Sequence, residues 1–574
     1  MGKKKDPAAD QKEEAVEVAE IDRELETITE TCFEGAPLQL VAGNWECDTS
    51  GVYKLLPKKN SPNELERVDA SHQQILPSGI LENIETGQQR YIISFSVRRN
   101  GHLIWKNVPV EPAICCSKTK IVSLSNLGVA VNDMTAKQLV AYLADMIRLN
   151  QERIPVKQAI SHLGWVGKRF FPYDANMVFD GDAEQEKVAM GVSQAGDYDI
   201  WKTACRFFRK ELQVRLIMDA SFAAPLVKII GGLCFVVLLW GTTGTGKTVA
   251  LKAAASIWGK PDALLKTVDA TINYMTNRAA LMKNLPFMLD ELQLAGNNKD
   301  KIVYALAEGI QRGRLGKDGS EKTGKTWETI SIITGETPIV DARSGGGAIN
   351  RVLEVEIDAP LFKDFSYTMD IITENYGHAG KRFIEYIQEA DHDRLREEYR
   401  EICNDLAKYD STGKQIQNLA FLVLADRIVE RCILEGETPL ELSEVAEIMK
   451  SKKEVSQAER AYQFIVGWIA MNKNHFEDSN DTIELYGKME GGACFVNKVK
   501  LEQVLNDNGY SFDAVKKEWD KLGYLKKNNQ GRYHHYTSAG NGQKAMYIKI
   551  CFDDPDRENK TFVPLPEQQI LPFC

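Results

Sequence analysis

Gly241-Thr-Thr-Gly-Thr-Gly246-Lys247-Thr248 constrains this chain most, because a GxxxxGK[ST] loop works only between a buried strand and the start of a helix. Both neighbours are legible. Gly232-Leu-Cys-Phe-Val-Val-Leu-Leu-Trp240 reads as a buried strand, and Lys247-Thr-Val-Ala-Leu-Lys-Ala-Ala-Ala255 as a helix former. Such a loop turns backbone N–H groups inward around phosphate, and the helix adds the positive end of its dipole. Gly241, Thr242, Thr243, Gly244, Thr245, Gly246, Lys247 and Thr248 are therefore the expected ATP-binding residues. Lys247 would reach the β and γ phosphates, and Thr248 would hold Mg2+.

Leu285-Pro-Phe-Met-Leu-Asp290-Glu291 supplies a second apolar strand, ending in two carboxylates. Asp290 is the expected second metal residue, and Glu291 the group that orients and activates the attacking water. A third strand, Thr329-Ile-Ser-Ile-Ile-Thr334, runs into Gly335-Glu-Thr337. In AAA+ ATPases a polar residue at this strand's end helps place the water, which makes Thr334 and Thr337 candidates. Arg351 precedes a further alternating strand, where an arginine typically faces a neighbouring subunit's nucleotide. Arg343 is the alternative finger, and Arg382 a candidate second sensor.

The net charge of −10 argues against nucleic acid only if it is spread evenly, and it is not. Met1 to Glu30 carries ten acids against five bases and Asp553 to Cys574 five against two, so the ends hold eight of the ten net charges. Basic clusters in the nearly neutral body can still meet phosphodiesters. The eleven cysteines show no CxxC pair, which reads as reduced thiols and a cytoplasmic location. The most apolar run, Ile229 to Trp240, is shorter than the ~20 residues of a membrane span, so a soluble protein is expected.

The set Asp269-Ala-Thr271, Leu285 to Gln293, Gly309 with Arg312-Gly-Arg314-Leu, Thr334-Gly-Glu336 and Asn375-Tyr-Gly-His378-Ala-Gly380 resembles an uncharacterised-domain family of MCM-like AAA+ helicases. Members such as the Cch helicases of staphylococcal cassette elements are encoded by bacterial mobile elements and phages. The resemblance implies a hexameric ring, moving on single-stranded DNA with ATP hydrolysis in replication of such an element. It also implies a pore hairpin between the second and third strands, where Lys317, Lys322 and Lys325 stand around glycine turns suited to backbone phosphates.

The expected fold class is α/β: an AAA+ P-loop core with an N-terminal α+β domain, a helical lid region and a C-terminal winged helix. The boundaries read as a disordered charged tail over 1–30, the N-terminal domain over 31–190 and the ATPase core over 191–362. The lid follows over 363–475, the winged helix over 476–552 and a tail over 553–574. Gly167-Lys-Arg-Phe-Phe171 reads as a surface strand, with nucleic-acid contact the lesser alternative. Val496 to Leu505, Asp513 to Leu522 and Tyr524 to Ile550 follow a helix, helix, wing order. Lys516, Lys517 and Lys521 on the second helix, with Lys526, Lys527 and Arg532 near the wing, are candidates for duplex DNA. Gln568-Gln-Ile-Leu571-Pro-Phe573 resembles peptides that dock on the bacterial sliding clamp.

Two rival functions stay open on the sequence. One is an ATPase that loads or remodels replication proteins without unwinding. The other is a non-catalytic scaffold organised by bound nucleotide, against which the intact Lys247, Asp290 and Glu291 weigh.

Overall fold

The computed structural model describes residues 30–552 except 59–60, 269–270, 312, 316–320, 323, 340–345, 437, 477–483 and 539–543. The chain divides into two compact units, Met1–Met190 and Gly191–Cys574, each described here by itself.

In the first unit β1 (Glu46–Asp48), β2 (Gly51–Lys58) and β3 (Ser61–Ser71) form an antiparallel sheet. A second, mixed sheet takes β4 (Ile75–Asn83), β5 (Gln89–Arg99), β6 (His102–Val110), β7 (Val156–Ile160) and β10 (Met177–Phe179) in the order β10-β7-β4-β5-β6. Asn100 and Gly101 turn β5 into β6 with φ of 49° and 80°, the left-handed pair that a two-residue hairpin needs. Helix α1 (Ala136–Leu149) buries Leu139, Tyr142, Leu143 and Met146, the stripe its spacing predicts. Tyr142 fixes it by donating to the Ile75 carbonyl at 2.7 Å and meeting Trp45 edge-on at 5.4 Å. Between β7 and β10, strands β8 (Gly164–Val166) and β9 (Arg169–Phe171) make a small hairpin. There Phe170 and Phe171 are buried and Arg169 is engaged by Gln158 and Asp174, so this stretch serves packing.

The second unit opens with α2 (Tyr198–Phe208) and α3 (Leu212–Ala223), then builds a five-stranded, all-parallel sheet. Its strands are β11 (Phe235–Gly241), β12 (Leu265–Thr267), β13 (Phe287–Asp290), β16 (Ile330–Gly335) and β17 (Val352–Ile357), in the order β12-β13-β16-β11-β17. Val236, Val237, Leu238 and Leu239 are fully buried, as an unbroken apolar run in a parallel sheet must be. Helix α4 (Lys247–Ser256) follows β11, α5 (Ile272–Met282) follows β12, and α6 (Lys299–Ala307) follows β13. Between α6 and β16 a short antiparallel pair, β14 (Arg314–Leu315) with β15 (Glu321–Lys322), makes the expected hairpin.

Helices α7 (Phe365–Glu374), α8 (His378–Glu389), α9 (His392–Leu406) and α10 (Gly413–Val429) come next. Helix α10 is buried on every side and packs on α3 and α9. It closes a buried charge cluster. Arg209 Nη1 lies 2.6 Å from Asp219 Oδ1, and Arg209 Nη2 lies 2.6 Å from Asp426 Oδ1. Arg215 reaches Asp426 at 2.7 Å, and Glu430 stands 3.4 Å from Arg209. Burial works against the Arg209 charge, but Asp219 and its other neighbours hold its pKa above the usual value. Burial pushes Asp219 up to about 8, against the pull of Arg209. Burial and the neighbouring Asp426 outweigh Arg209 at this carboxyl, which therefore keeps its proton over part of the range above its usual value.

This proton has a consequence for stability. The Asp219 pKa is raised above the unfolded value of ~3.9, so the folded state holds the extra proton. The associated stability is complete below about pH 4 and is lost as the pH rises through about 8. Melting curves between pH 6 and pH 9 should fall for the natural chain and flatten in Asp219→Asn. Parallel curves for the two would place the proton elsewhere.

The C-terminal part of this unit contains α11 (Gln457–Met471), β18 (Gly487–Glu490), β19 (Ala493–Asn497), α12 (Lys498–Asp507), α13 (Phe512–Lys521), β20 (His534–Ser538) and β21 (Lys544–Cys551). The expected helix, helix, hairpin order is present, with two differences. The first helix starts at Lys498, because Val496 and Asn497 belong to β19 and the Asn497 side chain caps the helix. Helix α11, expected to lie in the lid region, gives Ala461, Tyr462 and Ile465 to this core, and Trp519 Nε1 donates to the Ala458 carbonyl at 2.7 Å.

Candidate functional site

The glycine loop leaves the carboxyl end of β11 and enters α4 at Lys247. Gly244 and Gly246 stand at φ of 86° and 94°, a region that L side chains rarely adopt. A β-carbon on Gly246 would also lie 2.5 Å from the Phe365 ring. Gly246→Ala should therefore weaken binding of labelled ATP at least tenfold; an unchanged affinity would mean that the loop does not hold phosphate.

Lys247 Nζ donates to the carbonyls of Gly241 and Thr242 at 2.9 and 2.7 Å, folded into the loop it would serve. Burial draws its pKa below the usual lysine value, while Glu336 and Asp290 act in the opposite sense. Thr248 Oγ1 donates to Asp290 Oδ2 at 2.9 Å, although 42 residues separate them. A hydroxyl and a carboxylate oxygen side by side suit Mg2+, which takes few protein ligands and completes its shell with water and phosphate oxygens. Among the described residues no group of three or more His, Cys, Asp or Glu could hold a metal ion.

Strand β16 lies between β11 and β13, and its register sets Thr334 level with Leu239. One polar residue at that point reaches the acidic strand directly: Thr334 Oγ1 donates to Asp290 Oδ1 and accepts from the Glu291 N–H at 3.1 Å. Glu291 itself has a left-handed backbone, φ 63° and ψ 55°, of the kind that marks functional positions. Thr243, Lys247, Thr248, Asp290, Glu291 and Thr334 line one cleft of about 340 Å³, together with Glu336 and Phe365. A larger cleft of about 670 Å³ beside α8, α9 and α10 is lined by charged side chains such as Glu398 and Arg431, paired with each other, and includes no glycine loop.

The other candidates lie apart from this cleft. Thr337 does not line it, and instead accepts from Lys299 Nζ at 3.1 Å. Arg351 stands just before β17, whose Val352 is level with Val236 and whose Ile357 is level with Gly241. At about 3.3 Å per residue, that puts Arg351, one residue before Val352, roughly 20 Å along the sheet from its own glycine loop. It donates to the Gly347 carbonyl at 3.1 Å and lies 5.2 Å from the Tyr304 ring. Arg382 stacks on Tyr198 at 4.0 Å and is not in the cleft. Lys325 is exposed at the base of the hairpin and Lys322 lies in β15; Lys317, Arg343 and the Gln568–Phe573 peptide fall outside the described residues.

On α13, Lys516 is engaged by Asp513, and Lys521 lies 3.4 Å from Glu518. Lys527 is likewise engaged by Asp520, whereas Lys517 is exposed and makes no ion pair among the described residues. These internal pairs weaken the field of the helix. On the sheet, Lys488 and Lys549 flank Phe495, 5.3 and 5.0 Å from its ring, a pair that sequence reading missed, and Lys488 is in turn 2.7 Å from Glu490. Glu336 was quoted above only as part of a motif, because nothing in its spacing places a glutamate against the glycine loop.

Comparison with known proteins adds two domain matches. Residues 45–326 match the domain of unknown function DUF927, and residues 456–555 match the Cch helix-turn-helix domain. No curated protein matches the chain. Among solved structures, the SCCmec type IV Cch protein, described as an active helicase, is 18% identical with a TM-score of 0.66, covering 91% of this chain and 98% of its own. That likeness concerns the fold. The C-terminal region of NrS-1 (10% identical, TM-score 0.28, 82% of this chain and 96% of its own) is far more distant. So is a protein from Cytophaga hutchinsonii (11% identical, TM-score 0.26, 46% of this chain and 88% of its own).

Proposed function

Because the chain belongs to the Cch-type family, carrying both the DUF927 domain and the Cch helix-turn-helix domain, we propose that it is an ATP-dependent DNA helicase of the AAA+ class, acting as an MCM-like hexameric ring in replication of a mobile element or phage. One observation carries the catalytic half. The carboxyl ends of three neighbouring strands bring Lys247 and Thr248, Asp290 and Glu291, and Thr334 to one cleft, where hydrogen bonds join Thr248, Asp290, Glu291 and Thr334.

The loop amides and Lys247 hold the β and γ phosphates, and Thr248 with Asp290 would hold Mg2+, which when bound offsets phosphate charge. Glu291 takes the proton of the attacking water, and Thr334 keeps the Asp290 carboxylate and the Glu291 backbone in register. Arg351 stands too far from its own loop to act there, which favours a role at the nucleotide of a neighbouring subunit and hence a ring. Lys317, Lys322 and Lys325, from the segment between the second and third strands, grip single-stranded DNA, and the C-terminal domain, in which Lys517 makes no ion pair among the described residues, meets duplex. The clamp peptide remains a proposed partner site. A loader without unwinding shares the same pocket.

Turnover of ATP by the full chain, with and without single-stranded DNA, beside strand displacement and mass in solution, tests the reading. Stimulated turnover, displaced strand and a mass near six chains are expected. Stimulated turnover without displacement selects the loader, and a monomer with DNA-independent turnover removes the helicase.

A further inference from the structure

Three carboxylates line the phosphate cleft, yet the hydrolytic reading employs only two of them. Asp290 faces Thr248, and Glu291 is the base. The third, Glu336, follows β16 by one residue, and its Oε1 accepts from Thr243 Oγ1 at 2.6 Å. Thr243 is the third residue of the glycine loop. The hydrogen bond therefore ties the loop to the exit of the neighbouring strand, across the place where phosphate oxygens would be received.

A carboxylate and a phosphate compete there for the same donors. Glu336 occupies the Thr243 hydroxyl, and its negative charge repels any anion held by the loop. Both side chains are exposed, so the contact is not required to complete the core. Its removal should leave the fold intact.

Resting on the reading of this cleft as a nucleotide site, we propose that Glu336 is a latch on the glycine loop: it holds Thr243 while no nucleotide is bound, is displaced by the incoming polyphosphate, and thereby weakens retention of nucleotide. After hydrolysis the same carboxylate competes with ADP for the loop and favours its release. Glu336 acts on nucleotide through Thr243 and through its charge, so it is a positioning residue and not a catalytic one.

The test is calorimetric titration of the full chain with Mg-ADP, comparing the natural protein with Glu336→Gln, Glu336→Asp and Lys247→Ala. Removing one like charge at partly screened range should tighten binding roughly five- to thirtyfold in Glu336→Gln. Glu336→Asp keeps the charge and should stay within about threefold of the natural protein, an outcome that a merely steric role would not produce. An unchanged or weaker affinity in Glu336→Gln, with binding intact in the natural protein and lost in Lys247→Ala, overturns the latch alone. No Mg-ADP binding by the natural protein overturns the nucleotide reading and the latch with it.

Discussion

Glu291→Gln should bind Mg-ATP as the natural chain does and turn it over about 10²–10⁴ times more slowly, the usual contribution of a positioned general base. Glutamine keeps the shape of the side chain and removes its ability to take a proton from water. The backbone N–H at this position is bonded to Thr334 and to Asp290 whatever the side chain, so the glycine loop and the Thr248–Asp290 pair should survive the change. The comparison to run is steady-state phosphate release against equilibrium nucleotide binding, in parallel with Lys247→Ala, which should lose binding first. Turnover within threefold of the natural protein would show that another group activates the water.

The second large effect is expected far from the cleft. Arg209→Met should destabilise the second unit by about 3–5 kcal/mol, because it removes one partner from a buried charge network and leaves Asp219 with no cation in ion-pair reach among the described residues. Asp219 and Asp426 are both fully buried, and Arg209 is the only side chain within ion-pair reach of Asp219 among the described residues. Replacing the guanidinium with methionine fills much of the volume, so lost charge pairing and not a cavity dominates the change. Urea unfolding of the full chain, with hydrogen exchange followed in α10, measures it. A loss below about 1 kcal/mol would mean that water reaches the cluster.

The network joins α2 and α3, which precede the glycine loop, to α10, which follows the sheet by more than fifty residues. Nothing in the sequence pairs Arg209 with Asp426, 217 positions later. The all-round apolar character of α10 was visible, since Ile416, Leu419, Phe421, Leu422 and Leu424 leave no polar stripe. That its one acid, Asp426, would be buried and paired was not, because a charged residue in an apolar helix gives no sign of the partner that neutralises it. Likewise, the pairs within α13 depend on spacing of three residues that sequence shows, but whether those lysines point to solvent or to their own helix is settled by rotamers.

The amino-acid sequence by itself determined the local elements and chemistry of the cleft: a short apolar run that its place before the glycine loop marks as a buried strand, glycines where the backbone must turn left-handed, and a lysine, a threonine and two acids in the order phosphate and metal chemistry demands. These are legible because strand burial, turn geometry and ligand type are properties of short segments. Tertiary structure alone decided that Thr334 and not Thr337 enters the cleft, that Arg351 stands at the other end of the sheet from its own loop, and that Glu336 closes on Thr243. Each of those outcomes follows from the order and register of parallel strands, and register is set by how whole faces pack together, a sum over distant residues that no single stretch of chain contains.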